Sequence, residues 1–231
     1  RLARAFNRDF DDSMISFVPL GHRFVNHIWR LLNQIGIPFI TLLDFDLERE
    51  GGGFGRIKYA LTQLLHIGYR KNDLLIQKDK TVLSDEQLEE MHNWDIKKNH
   101  MHFWIERLSK YDVFYSYPLD LDFMLLSAFQ PEYLAQKNRG PRIPDKINDP
   151  DKFVEKVKTA VFNTLKSDKA VVDRYSQHDQ ELMIWYDYLF LGKGKPITHL
   201  EALQGINDES LKARLPETLR KLFERIENLI D

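Results

Sequence analysis

Asp44-Phe45-Asp46 is the stretch of this sequence best equipped for chemistry. Two aspartates two residues apart at a strand end project to one side, because successive strand residues alternate faces. Held together, the carboxylates repel, and a hard divalent cation relieves that repulsion by taking oxygen ligands. The plainer alternative is a pair of solvated acids where a strand meets its loop. Arg49 and Glu50 follow, then Gly51-Gly52-Gly53, a run that lets backbone amides approach a phosphate. A flexible turn is the competing explanation.

Other residues offer supporting chemistry. Asp120 and Asp122 lie just past a second short strand, where further carboxylates would complete a metal site. Asp120 is the preferred ligand, with helix capping as its alternative. Ser116 brings a hydroxyl, and burial within the strand is its plainer role. In Gly192-Lys193-Gly194-Lys195-Pro196 a lysine can stabilise charge developing on a phosphate; a basic helix terminus favoured by the macrodipole is the other reading. Lys137, Arg139, Arg142 and Lys146 form a patch suited to a DNA backbone, or a merely solvated loop. His22, Arg23, Asn26 and His27 sit at a helix start, where they either meet a phosphate or cap and pack.

These side chains need elements to hold them. Phe39–Phe45 is a nearly continuous apolar run, as expected of a strand buried on both faces of a parallel sheet. In open α/β sheets, ligands gather at the carboxyl ends of such strands. Met14–Leu20 and Val113–Tyr117 read as further strands, the latter stopped by Pro118. Helical spacing covers Phe24–Leu32, closed by Gly36, and Arg56–Ile67. Ser84 and Gln87 form a capping-box pattern opening a helical block that runs to Leu108. Asp120–Phe129 resumes a helix, Lys137–Pro150 is a loop, and Asp151–Leu165, Ser176–Leu191 and Pro216–Ile230 are helices. Strands alternating with helices imply an α/β fold with parallel pairing and right-handed crossovers.

Composition excludes several classes. The chain has no cysteine, which rules out disulfides, thiolate nucleophiles and Cys-ligated zinc, and fits a reducing cytoplasm. No apolar run approaches the roughly 20 residues of a membrane span. A formal charge of −2 gives no general attraction for nucleic acid, so any DNA contact needs local basic patches. There is no His-Glu-x-x-His, and His100 and His102 point in different directions on a helix, so zinc is not expected. No P-loop is present, Gly192–Pro196 being too short for one, so ATP hydrolysis by this chain alone is not expected. The aromatic stretch Trp185–Leu191 reads as core. The chain opens at Arg1 with what reads as the second half of a helix, and is expected to be a piece of a longer protein.

The stretch LLDFDLEREGGGFGRIKY resembles the Toprim metal motif of the OLD (overcoming lysogenization defect) family of nucleases, most closely the class 2 branch. Pro19–Leu32, Val113–Leu126 and Leu189–Leu203 are similar to the same branch. The resemblance implies a Toprim-like parallel sheet flanked by helices, with a helical insertion. Residues 1–82 would be the first part of the core, 83–110 the insertion, 111–135 the core continued, and 136–231 a helical segment with the Gly-x-Gly-Lys-Pro motif. It implies cleavage of DNA phosphodiesters by two divalent ions, Mg²⁺ or Mn²⁺, with Ca²⁺ bound but not supporting cleavage. Asp44 and Asp46 match the family's ligands, with Asp120 as a third. Glu50 would be an outer ligand or orienter and Lys195 a catalytic lysine, while Arg49, Lys193, Arg139 and Arg142 would meet DNA. The implied partners are DNA, an ATPase domain elsewhere in the longer protein, and a second copy of the chain, with no membrane.

One departure stands out. Toprim enzymes carry a glutamate after their first strand, and here none precedes Glu48. Asp9, Asp11 and Asp12 read as a helix end instead. Truncation upstream of Arg1 is the favoured explanation, and a degenerate site the other. Two rival functions remain open. A haloacid-dehalogenase-like phosphatase also uses Asp-x-Asp, but with Thr or Val where this chain has Glu48. A non-catalytic Toprim scaffold would dock DNA or partners without cutting.

Overall fold

A computed structural model describes residues 1–6, 15–20, 25–135, 140–192 and 195–230. It is a mixed α/β structure, mostly helical, around a small parallel sheet. Strands β1 (Thr41–Asp44) and β2 (Val113–Ser116) pair in the register Thr41↔Val113 through Asp44↔Ser116. Both strands therefore end at the same edge, as parallel pairing requires. The two loops that follow stay tied: the Asp46 amide donates to Leu119 O at 2.7 Å and the Leu47 amide to Pro118 O at 3.0 Å.

The helices follow in order: α1 (Leu2–Phe6), α2 (Asn26–Gln34), α3 (Phe54–His66), α4 (Lys71–Leu74), α5 (Asp85–Glu90), α6 (Met101–Ser109), α7 (Leu121–Ala128), α8 (Gln130–Leu134), α9 (Pro150–Leu165), α10 (Gln177–Tyr186), α11 (Lys195–Leu203), α12 (Asp208–Ala213) and α13 (Glu217–Ile230). Two of them are bonded to the sheet. In α3, Phe54, Ile57, Leu61 and Leu64 recur at helical spacing and are buried. Tyr115 on β2 fastens that helix by donating its hydroxyl to Arg56 O at 2.9 Å. From α2, Trp29 donates its indole N–H to Thr41 Oγ1 at 3.0 Å, pinning the start of β1. Helix α7 buries the consecutive residues Phe123, Met124, Leu125 and Leu126, as a helix enclosed by neighbours does.

Local signals place several boundaries. Ser84 and Gln87 make the expected reciprocal capping box at the start of α5. Pro150 occupies the first turn of α9, where its missing N–H costs nothing. Helix α10 passes into a π-helical turn over Asp187–Leu191, just before Gly192.

The strand expected over Met14–Leu20 needs correction. Met14 lies outside the described residues, and residues 15–20 join no sheet. Phe17 and Val18 are 59% and 68% exposed. Strand propensity is a preference for a pleated, half-buried surface, and no neighbouring strand supplies one here. The described sheet is thus smaller than the three-strand arrangement the sequence implies.

Candidate functional site

Asp44 ends β1, opposite Ser116 on β2. Ser116 is buried and its hydroxyl donates both to Leu43 O and to Asp44 Oδ1, each at 3.2 Å. Two residues on, Asp46 has a φ of 53° and Glu48 one of 65°. These left-handed conformations are costly outside glycine and persist only where surrounding structure enforces them. They break the strand's alternation just where the expectation was that Asp44 and Asp46 would share one face. Asp44 instead opens to solvent, whereas Asp46 is buried.

The glycine run closes this turn. A Cβ on Gly52 would stand 1.7 Å from Asp46 O, so no side chain fits there. The amides of Gly52, Gly53 and Gly55 donate to Arg49 O, Phe45 O and Gly52 O at 2.9, 2.9 and 3.0 Å. Those amides are therefore spent inside the turn, which corrects the expectation that they cradle a phosphate.

Asp120 comes from the other strand's loop. Its Oδ1 accepts from the Phe123 amide at 2.9 Å, capping α7, so the capping reading holds. Its second oxygen, Oδ2, faces the β1 loop, where Arg49 and Tyr186 donate to it, Arg49 at 3.1 Å and Tyr186 in a short bond. The same Arg49 Nη1 donates to Asp46 Oδ1 at 2.8 Å, and Arg56, from the first turn of α3, closes on Asp46 Oδ2. Arg49 has further partners: Nε donates to Thr164 O at 2.9 Å and Nη2 to the Tyr186 hydroxyl at 3.0 Å. It is thus a half-buried clamp on two acids, its donors turned inward and not out to DNA as the resemblance implied. Although burial opposes its charge, Tyr186 and Asp120 outweigh that and hold the guanidinium protonated. Burial, then Asp120, pushes the Tyr186 phenol up, so it remains a donor.

Asp44 feels this cluster from the rim. Its pKa is raised, first by partial burial and then by repulsion from Asp120 and Asp46, against smaller help from the Leu121 amide and Ser116. That is the repulsion a divalent cation would relieve. The donor set, carboxylate oxygens at one sheet edge, suits Mg²⁺ or Mn²⁺ in type. Its present pairing does not, because Arg49 and Arg56 take the oxygens of Asp46. Among the described residues no three acids or histidines surround a common point.

The remaining sequence candidates divide. Glu50 is exposed, and among the described residues no bond joins it to the acids. Asp122 turns to His199, whose Nε2 lies 3.0 Å from Asp122 Oδ1 while Nδ1 lies 2.6 Å from the Tyr133 hydroxyl. This link fastens α11, which begins at Lys195, to α7, which Asp120 caps. The Lys195 side chain, Lys193, Lys137, Arg139, His22, Arg23, Asp9, Asp11 and Asp12 lie outside the described residues. Arg142 is exposed and shares a cavity of about 410 Å³ with Lys156 and Gly192, which brings the basic loop beside the start of the Gly-x-Gly-Lys-Pro segment. Lys146 is paired with Glu181 at 2.5 Å. His27 is exposed and Asn26 begins α2. His102 stacks edge-on against Tyr117 at 4.9 Å.

Two participants went unread in the sequence. Arg56 had a signal: a cation in the first turn of a helix opposes the macrodipole and needs an acid to hold it. Tyr186 had none, since it meets Asp120 across 66 residues of chain. Among the described residues no helix is long and apolar enough to cross a membrane. Comparison with protein-family models, with characterised proteins and with solved structures finds no match to the chain.

Proposed function

We propose that this chain is the cleaving part of a Toprim-type, OLD-family nuclease acting on DNA with Mg²⁺ or Mn²⁺. The observation that carries this reading is the gathering of Asp44, Asp46 and Asp120 at the carboxyl ends of two adjoining parallel strands. The motif LLDFDLEREGGGFGRIKY and the tether between α7 and the helix that starts at Lys195 support it. The Toprim architecture with an insertion over 83–110, an ATPase domain elsewhere in the longer protein, self-association and a cytoplasmic setting belong to the same proposal.

Bound ions would supply an activated water and offset charge on the phosphate and leaving oxygen. Asp44, open to solvent, is the first acid an incoming cation reaches. Asp46 and Asp120 become ligands only if Arg49 releases them. Tyr186 and Thr164 O offer the freed guanidinium a place to remain beside the cluster. Lys195 would face the charge developing on the phosphate, with Glu50 as an outer orienter and Arg142, Arg139 and Lys193 along the DNA backbone.

A second reading has one observation in its favour: Arg49 and Arg56 already neutralise two of the acids, as a non-cutting scaffold would tolerate. Nicking of supercoiled plasmid with Mn²⁺ decides between them. The nuclease reading expects nicking that ignores phosphatase inhibitors and falls at least about 100-fold in Asp44→Ala. Plasmid retained in a gel shift, but never nicked by the unaltered chain, leaves the scaffold.

A further inference from the structure

Beside the acidic turn lies a cavity of about 480 Å³ that shares the β1 loop with it. Leu47, next to Asp46, forms part of its wall, and Arg174 in that wall stands 3.7 Å from Glu48. Its charge is opposite to that of the neighbouring cluster. Lys78, Lys97 and Arg174 line it together with His100 and His102, and Glu106 is the one acid among the lining residues. Lys78 and Lys97 are exposed, and neither side chain makes an ion pair or hydrogen bond among the described residues. The Arg174 Nε is buried without a hydrogen-bond partner, its nearest acids, Glu48 and Asp95, both standing at 3.7 Å. Two cations without an internal partner and an unsatisfied guanidinium donor have been gathered around one hollow.

The same hollow offers flat faces. Tyr117, Phe103 and His102 line it, and His102 and Tyr117 already meet edge-on. Cations that track a backbone and rings that receive bases are the two components of single-strand recognition. The volume is that of a site for one small molecule or one nucleotide, and a duplex does not enter it. Tyr117 directly precedes the loop that carries Asp120, so a strand held here passes the tips where the acids sit.

We infer that this cavity, walled by Lys78, Lys97, Arg174, His102, Phe103 and Tyr117, binds an unpaired nucleotide and its flanking phosphates next to the acidic site. The inference rests on the nuclease reading for its choice of DNA and is tested apart from cleavage. Binding of a fluorescein-labelled ten-residue oligothymidylate is followed by anisotropy in EDTA at low salt. The double variant Lys78→Glu/Lys97→Glu should bind at least about tenfold more weakly, with a salt slope shallower by about 1.4 if two phosphate contacts are lost. His102→Ala, at an exposed position, should cost about fivefold or more through lost stacking. Asp44→Asn should bind at least as well as the unaltered chain. Equal binding by the lysine variant overturns the cavity assignment and leaves the nuclease reading intact. Absence of binding by the unaltered chain also overturns it, and plasmid nicking in Mn²⁺ then shows separately whether the nuclease reading survives.

Discussion

At the tip of β1 each buried charge has an internal partner. Asp46 holds two guanidinium groups, Asp120 shares one of them with a phenol, and Arg49 spends its donors on four acceptors. In the cavity a few residues away, Lys78 and Lys97 have no such partner among the described residues, and Arg174 sits at 3.7 Å from each of its acids. The contrast separates two uses of charge. Buried ions must be matched because an unmatched one is expensive, so the β1 tip is a structural joint whatever else it does. Exposed cations left unmatched add little to folding and remain available to an outside anion.

Substitutions can break this contrast in a graded order. Arg49→Ala should cost most, about 3–5 kcal/mol, by leaving buried Asp120 without a cation and Asp46 with Arg56 alone. Chemical denaturation measures the loss, and Mn²⁺ should restore more stability to this variant than it adds to the unaltered chain. An Arg49→Ala protein as stable as its parent would show that the clamp is not a joint. Gly52→Ala follows at about 3 kcal/mol, because its methyl group would overlap Asp46 O; a thermal scan showing no change would contradict the tight turn.

Asp44 should give a smaller effect of opposite sign. Its folded pKa is raised, so the folded state holds the proton more tightly than the unfolded chain. Stability from this group is therefore complete below the unfolded value of about 3.9 and declines as pH rises through the folded one. In metal-free buffer, Asp44→Asn should stabilise the protein at neutral pH by at most about 1 kcal/mol, since solvent screens the rim, and should make no difference at pH 3. Destabilisation at neutral pH would mean that the three acids do not repel. Lys78→Glu/Lys97→Glu should change stability least, within about 0.5 kcal/mol, whatever it does to DNA; a larger loss would show that the lysines have structural partners after all.

Local patterns carried much of this structure. The apolar run at Phe39–Phe45 and the aromatic run at Val113–Tyr117 each contain a strand, and Asp120 takes the capping role that was weighed as the alternative to metal binding. Ser84 with Gln87 marked a helix start because both halves of that box are four residues apart at most. What escaped was set by long-range packing or by backbone angles. Gly51–Gly53 looked open to a phosphate, but beside the left-handed φ angles of Asp46 and Glu48 the chain folds back so that the Gly52 and Gly53 amides bond within the turn. Arg49 read as a surface cation because its partners at Thr164 and Tyr186 lie 115 and 137 residues further on. Residues 15–20 were apolar enough for a strand, but they pair with no strand among the described residues.

Those two distant partners of Arg49 bear on the order of assembly. Strands β1 and β2 and all three aspartates lie before residue 121, yet the guanidinium between two of them is anchored on α9 and α10. Closing loops of that size is slow and entropically unfavourable. The acidic tip is therefore complete only when α9 and α10 are in place. A protease that trims those helices would remove both anchors of Arg49 while leaving Asp44, Asp46 and Asp120 in the chain.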